Sequence, residues 1–188
     1  MELVTQRLIL RDLRESDYAA MRQIRRLELV QRYEDVEIPD EAKTREEHNE
    51  ALRRAKEEPR IRYYLGVTIP PSDSVVGRIS FRLNTAWMNE WEIGWFMHPD
   101  YWSKGYATEG AQAVLRFGFE DLHAHRVIAF CNALNKASYR VMEKLGMTRE
   151  GLLRETRWWN NQWTHEYVYG ILDKDWETGT IHPDLPGT

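Results

Sequence analysis

A chain of 188 residues, 42% hydrophobic and 30% charged, has the size and mix of one ordinary globular domain with a continuous core. A net charge of −4 argues against nucleic acid as the main ligand, because binding a phosphate backbone needs a basic face; it suits a cationic substrate such as an amine. The single cysteine, Cys131, excludes an internal disulfide, and no apolar run approaches the ~20 residues needed to cross a bilayer.

Arg7–Leu13 alternates and is expected to form a first strand. Ser16 and Asp17 offer a cap for a helix through Arg26, burying Ala19, Ala20, Met21 and Ile24. Glu28–Pro39 is ambiguous. Asp40–Glu58 reads as a charged helix with a thin apolar side of Ala42, Ala51, Leu52 and Ala55. Tyr63–Ile69 and Val75–Leu83 are strands around the turn Pro70–Ser74. After a loop at Asn84–Glu90 comes a strand, Trp91–Met97, then a helix, Tyr106–Leu122, then a strand, Val127–Asn132. That βαβ unit requires a parallel pair. Lys136–Leu145 is a helix ended by Gly146. Leu152–Trp159 and Trp163–Leu172 form a closing hairpin, and the chain from Asp173 is expected to fray. We expect one domain over residues 1–175, a tail over 176–188, and an α/β (α+β) fold. Met1–Arg7 lacks the apolar stretch of a signal peptide, so a cytoplasmic protein with no membrane partner is expected.

Cys131 lies in the apolar run Val127–Cys131 and reads as a buried thiol. His123 and His125 have no accompanying Cys or carboxylate set at ligand spacing, so no metal is expected. The segment that carries chemistry is Ser103–Thr108, between a strand and a helix. Unpaired N–H groups at a helix start bind anions, Gly105 permits close backbone approach, Ala107 keeps the turn uncluttered, and Lys104 adds charge. A plain strand-to-helix turn accounts for the same spacing. Neither the Walker pattern nor the dinucleotide fingerprint is present.

Met97-His-Pro-Asp-Tyr-Trp-Ser-Lys-Gly-Tyr-Ala-Thr-Glu109 resembles the acetyl-CoA loop of the GNAT superfamily, and within it the RimJ/RimL branch of ribosomal-protein N-terminal acetyltransferases. Trp102 and Ser103 depart from the usual pattern. Further matches follow in order: Thr5–Arg11, Glu92–Trp95, Asn135–Ser138, Glu143–Gly146, Gly151–Glu155 and Tyr167–Gly170. They cover about residues 5 to 172, nearly the whole chain.

The resemblance implies a mixed, mostly antiparallel sheet of about seven strands with a splayed parallel pair, flanked by about four helices. It implies acetyl-CoA as cosubstrate, without a metal, and acetyl transfer to a primary amine, foremost a protein N-terminus. Carried over, Trp95, Phe96 and Met97 would meet the pantetheine arm through backbone, as in β-augmentation. The N–H groups of Ser103, Lys104, Gly105, Tyr106, Ala107 and Thr108 would hold the pyrophosphate. Asn135 would bond the pantetheine amide, Ser138 would reach the thioester sulfur, and Lys144 would meet the 3′-phosphate. Asn135 serves equally as a helix cap. Glu109 reads as a helix-start carboxylate.

The positions of the superfamily's acid and base hold Met142 and Phe130. Glu92 is the base candidate, with an ion pair to an Arg as its other reading; Glu155 is a weaker one. Trp87, Trp91, Trp158, Trp159 and Trp163 either wall an acceptor pocket or pack elsewhere, including in a homodimer. A small amine as acceptor, or a catalytically silent acyl-CoA-binding module, are the rival readings.

Overall fold

The computed structural model describes residues 1–33, 40–159 and 161–178. Its eight strands are β1 (Glu2–Val4), β2 (Ile9–Asp12), β3 (Arg62–Thr68), β4 (Val75–Thr85), β5 (Glu90–Met97), β6 (Arg126–Asn132), β7 (Thr148–Trp159) and β8 (Gln162–Leu172). The helices are α1 (Tyr18–Arg25), α2 (Glu28–Gln31), α3 (Glu41–Arg54), α4 (Tyr106–Glu120), α5 (Lys136–Lys144) and α6 (Asp173–Thr178). All strands join one sheet in the order β1-β2-β3-β4-β5-β6-β8-β7, antiparallel except for β5 and β6. The expected splayed parallel pair is therefore present.

Alternation decides which layer each strand residue enters. Leu10, Leu65, Val67, Ile79, Phe81, Trp91, Ile93, Val127 and Ala129 join α4's Ala111, Val114 and Leu115 in the main core. Gly118 allows this close packing: a Cβ there would stand 2.6 Å from Cζ of Phe81. The other face carries a smaller cluster, Leu13, Met21, Ala51 and Val75, with Phe96 packed on it.

Several boundaries differ from the sequence reading. β1 is too short for periodicity to reveal; it exists because β2 pairs with it, Leu3 opposite Leu10. The Asn84–Glu90 loop shrinks to a single turn, Ala86–Met88, because β4 and β5 zip nearly to their ends. α3 buries Thr44, His48 and Ala51, a half-polar stripe rather than a run of alanines. β7 starts at Thr148, with a register shift between Leu153 and Arg157 where Glu155 takes φ 53°. The chain at Asp173 is helical, not frayed: Trp176 stacks on Phe119 with ring centroids 5.5 Å apart. Part of the ambiguous Glu28–Pro39 stretch forms α2; residues 34–39 and the tail beyond 178 lie outside the described residues.

Candidate active site

The β5–β6 ladder has only three rungs: Glu90 with Arg126, Trp91 with Val127 and Glu92 with Ile128. Beyond them each strand stays bonded to its outer neighbour, β5 to β4 as far as Met97 and β6 to β8 as far as Asn132. The two therefore diverge, leaving a wedge with unshared strand edges. Arg126 closes its narrow end. It donates to Glu90 Oε2 at 2.8 Å and to Glu150 Oε1 at 2.6 Å. The Glu150 carboxylate, foremost, holds the guanidinium above its ordinary pKa against burial.

A cavity of about 500 Å³ opens along the wedge. Its walls include Trp95, Phe96 and Met97 of β5, the turn residues Ser103 and Gly105, the α4 start Tyr106, Ala107 and Thr108, and Asn135, Ser138 and Lys144 of the α5 segment. These expected residues, scattered over fifty positions, are brought together. α2 adds Leu29 and Val30, and Arg32 follows directly after it.

The turn before α4 owes its shape to strained backbone and long-range bonds. Ser103 has φ 58° and Gly105 φ 82°, both left-handed. At Gly105 a Cβ would also come within 3.3 Å of Arg7 Nη2. Arg7 spans the turn: Nη1 donates to the Lys104 carbonyl at 3.0 Å, Nε donates to Glu109 Oε2 at 2.6 Å, and its guanidinium lies 4.7 Å from the centre of the Tyr106 ring. Glu109 also accepts from the Thr5 hydroxyl at 2.7 Å. Burial pushes its carboxyl pKa up, but these bonds outweigh it and hold the group below its ordinary value. Trp102 Nε1 donates to the Met97 carbonyl at 2.8 Å, fastening the turn to the end of β5. Neither Arg7 nor Trp102 was marked as a site-builder by its sequence neighbours; both act through partners distant in the chain or across a turn. The α4 start thus presents N–H groups that an α-helix leaves unpaired, suited to a phosphate.

Asn135 caps α5: its Oδ1 accepts from the Ser138 N–H at 3.1 Å. The cap reading holds while the residue still lines the cavity. The Cys131 thiol nearby is buried, and burial pushes its pKa up to about 12. That thiol is protonated and inert at neutral pH.

Two expected residues stand outside the cavity wall. Glu92 is ion-paired: Arg82 Nη2 donates to both its oxygens, at 2.9 and 2.8 Å. Lys104 lies with Nζ 5.6 Å from the centre of the Tyr101 ring, drawn to that aromatic face. Glu155 is exposed, and Met142 is core at 1% exposure. Among the tryptophans, Trp91 stacks on Phe81 in the core, Trp87 is exposed, and Trp158 and Trp163 pair edge-to-face on the last hairpin. The side chain of Trp159 lies outside the described residues. Among the described residues no cluster of metal-ligating side chains is found, and no helix is long and apolar enough to cross a membrane.

A helix start aimed at anions, beside a wedge that admits one extended chain, suits a ligand with a phosphate at one end and an amide-bearing arm. The family of the acetyltransferase (GNAT) domain matches residues 7–148. The chain is 35% identical to the uncharacterized N-acetyltransferase YnaD of Bacillus subtilis, over 94% of this chain and 99% of that one. A GNAT-family acetyltransferase from Bacillus anthracis superposes with a TM-score of 0.80 at 34% identity, covering 93% and 99% of the two chains. RimL, a ribosomal L7/L12 alpha-N-protein acetyltransferase solved with coenzyme A, has the same fold, with a TM-score of 0.80 at 16% identity over 92% and 98%.

Proposed function

The chain belongs to the GNAT family of acetyl-CoA-dependent N-acetyltransferases, and from that premise we propose that its acceptor is the α-amine of a protein N-terminus. The donor half of this reading is carried by the wedge between β5 and β6 with the α4 start at its side. Acetyl-CoA supplies an activated acetyl thioester. The N–H groups at Gly105–Thr108 bind its pyrophosphate, and the unshared edge of β5 at Trp95–Met97 pairs with the pantetheine arm as an added strand. A β5 N–H polarises the acetyl carbonyl. Asn135 and Ser138 orient the arm, and Lys144 meets the terminal phosphate.

The acid–base chemistry favours an α-amine. With a pKa of about 8, roughly a fifth of such groups are neutral near pH 7.4, against ~0.1% for a lysine. A site with Met142 and Phe130 where the superfamily places its acid and base makes least demand with such an acceptor. The fold shared with RimL, whose name states an alpha-N-protein acceptor, points the same way.

Thiol release from acetyl-CoA, measured with Ser- and Ala-starting peptides, spermidine, free amino acids and an aminoglycoside, tests this. Turnover of the peptides is expected. Turnover of a small amine with none of any peptide refutes the acceptor assignment.

A further inference from the structure

The α4 and α5 starts that line the cavity belong to one side of the sheet, the side that receives Val127, Ala129 and Cys131 of β6 and Tyr169 and Ile171 of β8. The cavity is also lined by Phe96, which packs on the cluster of the opposite face, and by Leu29 and Val30 of α2, so the wedge is open to an amine approaching from that other face. Alternation assigns to that other face Phe96, Glu92, Asn132 and Glu166. Two of these are carboxylates, and they differ in position and in occupancy. Glu92 sits on the last closed rung, and both its oxygens are taken by Arg82. Glu166 sits opposite Asn132 on the last β6–β8 rung, at the open end.

Glu166 is 6% exposed, and Asn132 and Thr164 beside it are 4% and 5% exposed. Burying three polar side chains together costs free energy unless each is satisfied. Asn132 Nδ2 donates to the Thr164 hydroxyl at 3.4 Å, and its Oδ1 accepts from the Leu134 N–H at 2.9 Å. Arg157 reaches Glu166 with two nitrogens, Nε at 2.7 Å and Nη2 at 2.6 Å, but both contact Oε1. Among the described residues no side chain is found on Oε2. The charged group placed against the carboxylate is the guanidinium of Arg157 on β7.

We propose that Glu166 is the carboxylate that receives the acceptor, its Oε2 binding the incoming ammonium and taking its proton while Arg157 fixes the carboxylate in place. This rests on reading the protein as an amine acetyltransferase. In the step, the freed nitrogen lone pair forms the N–C bond to the acetyl carbonyl. The first proton passes from Glu166 on to water, the C–S bond breaks with its electron pair on sulfur, the now-cationic nitrogen gives its second proton through Glu166 to solvent, and the thiolate takes a proton from solvent.

The test compares wild type, Glu166→Gln and the double variant Arg157→Gln/Glu166→Gln, with acetyl-CoA and either an Ala-starting peptide or spermidine, whichever wild type turns over. Both variants should lose about 10²-fold or more in kcat/KM for the acceptor at neutral pH. The loss should shrink as pH rises toward the amine's own pKa, and acetyl-CoA affinity by calorimetry should be unchanged. The double variant leaves no charge unpaired, so it carries the test if the single variant does not fold. Its return to wild-type turnover would assign the pair a packing role only and overturn the proposal, as would a wild-type pH profile in Glu166→Gln. If wild type acetylates neither amine while binding acetyl-CoA, the acceptor reading itself falls, and this proposal with it.

Discussion

Gly105 is required twice, by its left-handed backbone and by Arg7 packed against the place a Cβ would occupy. Any side chain there strains the turn by about 1–2 kcal/mol. Gly105→Glu also puts a carboxylate among N–H groups meant for phosphate. Calorimetry should show acetyl-CoA binding lost, with the fold kept by circular dichroism; unchanged affinity would remove this turn from the donor site. Gly105 was legible in the sequence because its chemistry is local, a glycine between a strand and a helix. Trp102 was legible only as a departure from a pattern. Its use, an indole N–H on the Met97 carbonyl, depends on how the turn folds back. Glu166 was not legible at all: its meaning comes from Asn132, thirty-four positions away, and from a β7 register that a bulge shifts.

At the scale of elements, the parallel pair was readable because a strand, a helix and a strand in succession force it. How few rungs it has was not, since rung number is set by the outer neighbours β4 and β8. Arg126 is the device that holds the closed end. With 18% of its side chain exposed it is largely buried between Glu90 and Glu150. Arg126→Ala would leave two carboxylates crowded together without a counter-charge. We expect a loss of about 3 kcal/mol in urea unfolding, in the range for breaking a buried pair. Arg126→Ala/Glu150→Gln should recover part of it. A loss under about 0.5 kcal/mol would show the pair to be an ordinary surface contact.

Over the whole molecule, α3 is seated by buried polar side chains as well as by the apolar contact of Ala51, which makes its attachment sensitive to pH. His48 is 4% exposed, with Nε2 3.1 Å from the Arg14 carbonyl. Burial lowers its pKa below 6.5, outweighing that carbonyl and the nearby Glu15 and Asp17; Arg45 lowers it further. The unfolded chain therefore binds the proton first. Stability is full above about pH 6.5 and falls as pH drops below it toward the folded value. Thermal unfolding followed from pH 8 to 5 should show this decline, and His48→Gln should flatten it between 6.5 and 5. A wild-type curve that is flat across that window would contradict the assignment. The charged look of α3 in the sequence concealed this: Thr44 and His48 share its buried stripe with Ala51, and polar side chains in such a stripe carry no apolar signal.

The three-rung ladder has a mechanical consequence. Five strands lie on one side of it and three on the other, so the sheet is two panels sharing a short seam. A ligand lying in the open length of that seam acts as a suture, lending backbone partners to both panels at once. The donor is then part of the architecture while it is bound. At a hundred times its dissociation constant it should add about 2.7 kcal/mol to the stability of the whole chain, a gain that leaves with the spent coenzyme.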